Sequence, residues 1–152
     1  MKKHCFITLA LAVTVILGSI HAQAMTPLAL ENNEYSVVLL CTGDAGDYCD
    51  KGETVRDVFI FDDDEKFSIE SFDDELFGLG AHGEYSESGF SFDATLEVVS
   101  DDIVDKYEVD IKGIALFSTV IAGSAEITYS TLNLTGYDKE DEATAYFFGI
   151  KK

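Results

Sequence analysis

Strict alternation of apolar and polar residues over the second half of the chain constrains its fold more than any other feature. Phe90, Phe92, Ala94, Leu96 and Val98 alternate with Ser91, Asp93, Thr95 and Glu97. Tyr107, Val109, Ile111 and Gly113 alternate in the same way with Lys106, Glu108, Asp110 and Lys112. Successive side chains of an extended strand point to opposite faces, so a period of two specifies strands with one buried and one wet face. Ser100-Asp101-Asp102 separates the two runs, which therefore read as a hairpin. A further inward set is Ile121, Gly123, Ala125, Ile127 and Tyr129, opposed by Ala122, Ser124, Glu126, Thr128 and Ser130. The last run, Ala145 to Ile150, is apolar on both faces.

The first half is less regular. Tyr35 to Leu40, Val55 to Phe61, and a run beginning at Phe67 and Ile69 read as strands, with Asp62-Asp63-Asp64-Glu65 as a turn too charged to pair. Asp73-Asp74-Glu75-Leu76-Phe77 is compatible with one helical turn, its acids near the N-terminus. Glycines at 78, 80, 83 and 89 break anything longer. No sustained helical period follows residue 25, and no linker or composition break divides the chain. The expectation is a single all-β domain over 25–152: a small antiparallel up-and-down barrel or sandwich of about eight strands.

Residues 1–24 read as a cleaved secretory signal peptide. Lys2 and Lys3 form the positive start, Cys5 to Leu17 the apolar stretch, and Ala22-Gln23-Ala24 the cleavage site. No other run approaches the length of a membrane-spanning helix. Cleavage leaves 152 − 24 = 128 residues, one histidine (His82) and two cysteines. Removing two of the 10 Lys+Arg leaves 8 against 29 acids, a net charge of −21. Secreted or periplasmic localisation follows, and an oxidising compartment makes Cys41–Cys49 a disulfide. Zinc lacks enough thiolate and imidazole ligands, and the spacing is not the C-x-x-C of redox catalysts.

The tracts Tyr107-Glu-Val-Asp-Ile-Lys-Gly113, Val120-Ile-Ala-Gly123 and Ala145-Tyr-Phe-Phe-Gly149 carry a resemblance. Through them the C-terminal third resembles the closing meander of secreted lipocalin-like (calycin-type) β-barrel domains of bacteria. The resemblance implies a cup able to hold a small apolar ligand.

Several chemistries are excluded. A charge of −19 over the whole chain opposes nucleic acid and anionic membranes, which require Lys and Arg. Nucleophilic catalysis needs a histidine base, and His82 is the only one downstream of the signal. Gly78-Leu-Gly-Ala-His-Gly83 has the form of a dinucleotide loop but no following helix. Paired carboxylates for glycoside hydrolysis are expected by chance among so many acids, and the sugar-stacking Trp is absent.

The leading expectation is an exported, non-enzymatic barrel that binds a small apolar ligand or a protein partner. Phe90, Phe92, Tyr107, Val109, Ile127, Tyr129 and Phe147 are the candidates to line an interior site, or else fill the core. The alternative is an acidic inhibitor or interaction protein for a basic partner. A second alternative is a calcium-binding domain that uses Asp44, Asp47, Asp50 and Glu53 of the disulfide loop. No other cofactor is expected.

Overall fold

A computed structural model describes residues 29–73, 83–100, 103–116 and 118–152. The signal-like segment 1–24, His82 and most of the glycine-rich loop, and Asp101 and Asp102 lie outside the described residues.

The described residues form eight strands: β1 (Asn33–Cys41), β2 (Thr54–Phe61), β3 (Lys66–Ile69), β4 (Gly83–Ser88), β5 (Ser91–Val99), β6 (Asp105–Leu116), β7 (Val120–Asn133) and β8 (Gly136–Lys151). Each pairs antiparallel with the next. β8 then pairs antiparallel with β1, from Tyr35↔Lys151 to Cys41↔Ala145, and closes a barrel in chain order. Closure gives the backbone groups of β1 and β8 partners on both sides, so neither is left as a sheet edge. Among the described residues there is one helical turn, α1 (Glu70–Asp73). It begins three residues before the expected 73–77, of which 74–77 lie outside the described residues.

The alternation read from the sequence is the inward–outward alternation of the wall. Phe92, Ala94, Leu96 and Val98 of β5 are buried between exposed neighbours. Tyr107, Val109, Ile111, Gly113 and Ala115 of β6 behave likewise. The acidic stretch 62–65 is a turn, with Asp64 and Glu65 both at positive φ and Asp62 N–H donating to Lys66 C=O at 2.9 Å. A bulge between Tyr129 and Ser130 shifts the β7–β8 register, so Glu140 is skipped in the strand pairing between Lys139 and Asp141. Beyond it the two strands run on to a tip at Leu134-Thr135.

Candidate functional site

Three regions could carry function: the interior, the mouth closed by the disulfide loop, and the outer wall.

The interior is filled by aromatic rings. Phe61 sits edge-on to Tyr35, Tyr85 and Phe92, with centroids 5.8, 5.1 and 5.4 Å away. Phe59 meets Phe147 at 5.2 Å, and Phe147 reaches Phe92 at 6.4 Å. These rings occupy slots left by glycines on the inner face. A Cβ on Gly113 would lie 2.3 Å from the Phe92 ring, and one on Gly149 would lie 2.6 Å from Val37. Small inward residues thus make room for large ones on the neighbouring strands, which is how a narrow eight-stranded barrel packs its centre.

The sequence-selected lining residues divide accordingly. Phe92, Tyr107, Val109, Ile127 and Phe147 are buried in one cluster, with Tyr129 half-buried against it. Phe90 is a correction. It is 42% exposed and lies in the β4–β5 turn, outside the strand whose parity would point it inward. The turn has only two residues, and Gly89 takes φ = 66° at its first central position, as type II′ hairpins require.

The disulfide loop covers one end. Cys41 and Cys49 are bonded, with Cα atoms 5.8 Å apart, and both are buried. Ala45 and Cys49 form a bridge inside the loop, with Ala45 N–H donating to Cys49 C=O at 2.7 Å. Gly46, at φ = 54°, lies so close to Tyr107 and Tyr129 that a Cβ would fall 2.4 Å from the Tyr107 hydroxyl. Asp47 N–H donates to that hydroxyl at 3.2 Å, and Tyr129 O–H donates to Asp105 at 2.7 Å. Burial raises the Tyr107 phenol above its ordinary pKa, and the hydrogen bond to Asp105 does the same for Tyr129.

The calcium expectation is not met by this loop. Asp44, Asp47, Asp50 and Glu53 are all exposed, and among the described residues no three carboxylate, thiolate or imidazole groups gather around a point. Asp44 instead accepts from Lys51 N–H at 2.8 Å, which fixes the turn. Threefold spacing brings acids to one point only on a regular helix or a wrapping loop, and the internal bridge of this loop imposes neither.

One buried acid escaped the sequence reading. Asp57 of β2 is inward and buried, and its Oδ1 accepts from Val58 N–H at 2.8 Å and Ser71 N–H at 3.2 Å. Its Oδ2 accepts from Tyr48 O–H at 2.8 Å and from the Ser71 hydroxyl. Burial and then the Asp57 charge push the Tyr48 phenol well above its ordinary range. The Tyr48 ring packs on Phe72 at 4.5 Å. Asp57 therefore ties the disulfide loop, β2 and α1 together. The alternation of Val55, Asp57, Phe59 and Phe61 already carried the signal, since it places an acid on inward parity.

The outer wall is uneven. Val38 and Leu40 of β1, Tyr146, Phe148 and Ile150 of β8, and Ile114 and Leu116 of β6 are large apolar side chains facing water, each between 42% and 58% exposed. The register makes them one surface. Val38 pairs with Phe148, Phe148 with Ala122, and Ala122 with Ile114. Ile150 pairs with Val120, and Val120 with Leu116. The next row toward the disulfide end runs Leu40, Tyr146, Ser124 and Lys112, and beyond it come Thr144, Glu126 and Asp110. The carboxylates thus begin where the apolar face stops. On its other flank, Val38 pairs with Arg56 of β2, beside an open groove of about 730 Å³ between β1, β2 and α1.

The chain matches no protein family, no curated protein and no solved structure.

Proposed function

We propose that the chain is an exported, non-enzymatic β-barrel domain that binds a protein partner on its outer wall. The observation that carries this reading is the continuous apolar face across β1, β8, β7 and β6. Water-facing apolar patches of this extent mark interaction sites on folded domains. The disulfide supports export, because such bonds persist in oxidising compartments. A lipid-spanning barrel would carry an apolar belt all round and a polar interior. This one has exposed Asp93, Glu97, Asp110 and Glu126 on the wall and packed rings within.

A small apolar ligand inside, as the lipocalin-like resemblance implies, would have to displace Phe92 or Phe147 from slots shaped for them. The outer face needs no such rearrangement. The test is photocrosslinking in the cells of origin, with benzoylphenylalanine in place of Phe148 and, as a control, of Thr95 on β5, outside the apolar rows. Protein adducts from position 148 and none from position 95 are expected. Absence of adducts from position 148, together with a tightly bound small molecule in native mass spectrometry, would overturn the reading in favour of a ligand carrier.

A further inference from the structure

We propose that the occupant of the outer apolar face is a second copy of this chain, packed sheet against sheet across β1, β8, β7 and β6. This rests on the reading of that face as a protein-binding surface and names its partner.

Area is the first argument. The seven large apolar side chains, about half exposed, present roughly 600 Å². Ser36, Val120, Ala122 and Ser124 lie among or beside them on the same outward rows. The whole face thus approaches the roughly 800 Å² per partner of a standard stable interface. Two four-stranded faces of this kind pack with strands nearly aligned and side chains interdigitating, as in a sandwich.

Charge is the second argument. In a chain of net charge −19, no carboxylate lies on these rows between β1 and β6. Their flanks carry Arg56 and Lys112, neither in an ion pair among the described residues. A surface for a basic partner would set acids among its apolar residues, because opposed charges fix register. A surface for self-association must exclude them, because each would meet its own copy. Asp93 of β5 pairs with Lys112 at the edge of the face, and Glu97 with Glu108 further along β6, outside the apolar rows. Two copies meeting on these rows bring no carboxylate into the apolar centre, while Asp93, Asp110 and Glu126 at its rim add a repulsion that salt screens.

The experiment is sedimentation equilibrium of the exported protein across the micromolar range, at low and high salt. A monomer–dimer equilibrium is expected, and it should tighten as salt screens the repulsion between two acidic chains. Phe148→Glu on β8 and Ile114→Glu on β6 each place a carboxylate opposite its copy, and each should weaken the dimer by about a hundredfold or more. Both positions face water, so melting measured on dilute protein should be unchanged. If one variant misfolds, the other decides. A monomer at every concentration and salt overturns the proposal, as does a dimer indifferent to both substitutions. Binding of the monomer to neutral phosphatidylcholine vesicles through Phe148 would overturn it in favour of lipid. If the protein is monomeric but position 148 still crosslinks a different protein, only the identity of the partner fails. If it crosslinks nothing, the outer-wall reading fails with it.

Discussion

Phe147 and Phe148 are neighbours of the same type on β8, and their fates should differ by several kcal/mol. Phe147 is 4% exposed and packs against Phe59 and Phe92, whereas Phe148 is 51% exposed on the outer wall. Phe147→Ala removes roughly 100 Å² of buried apolar surface, about 2.5 kcal/mol at about 25 cal/mol per Å². The gap cannot close, because Gly123 and Gly149 beside it have no side chain to move in. A residual void of roughly 80 Å³ adds about 2 kcal/mol. The expected loss is about 4 kcal/mol, seen in urea as a midpoint lower by about 2 to 3 M for a domain of this size. Phe148→Ala removes surface that water already reaches, so its effect should stay within about 0.5 kcal/mol. Both are to be measured at a concentration low enough that copies do not pair, since association would add apparent stability to the wild type. Equal losses for the two variants, or a larger one for Phe148→Ala, would refute the inward–outward assignment of β8 and with it the outer face.

Reducing Cys41–Cys49, or replacing both residues by Ser, should cost about 2 to 3 kcal/mol. Amide protection along β6 and β7 should survive below the new midpoint, because hydrogen exchange there reports the wall and not the loop. Asp57→Ala strands the hydroxyl of Tyr48 and the N–H of Ser71, and should cost about 2 to 4 kcal/mol in urea unfolding, whereas Asp57→Asn keeps an acceptor and should lose less. Burial holds the phenols of Tyr35, Tyr48, Tyr85 and Tyr107 above their ordinary value of 10.0, with Tyr85 pushed up to about 12, and a hydrogen bond to Asp105 raises Tyr129. The unfolded chain then releases these protons first. Stability should be complete below about pH 10 and fall as pH rises toward about 12, with phenolate absorbance growing in step with unfolding. Phenolate appearing before any loss of fold would count against these burials.

The fold was largely legible in the chain because a barrel wall has a period of exactly two residues and the inside of this one is dry. The alternation from Phe92 to Val98 and from Tyr107 to Gly113 named the correct inner residues without any knowledge of their partners. Phe90 was misread because alternation does not announce where a strand ends, and a two-residue turn at Gly89-Phe90 removes it from the pattern. The acids of the disulfide loop were misread as a cluster because spacing along a chain fixes proximity only when the backbone between is regular. Asp57 was visible as an acid on inward parity, but its role needed Tyr48 and Ser71, which only the fold brings to it.

By itself the sequence determined the strand class and the cysteine pairing, both of which depend on local periodicity or on residue counts, and left barrel and sandwich both open. The tertiary structure decided the rest. Ala145 to Ile150 is apolar at every position, so parity alone cannot say which three residues face inward. Pairing with β1 and β7 settles it, because Gly149 must sit where Val37 and Ile121 leave no room for a side chain. That choice turns Tyr146, Phe148 and Ile150 outward, beside Val38, Leu40, Ile114 and Leu116 from strands far away in the chain. A surface assembled by register between distant strands has no signature in any one of them.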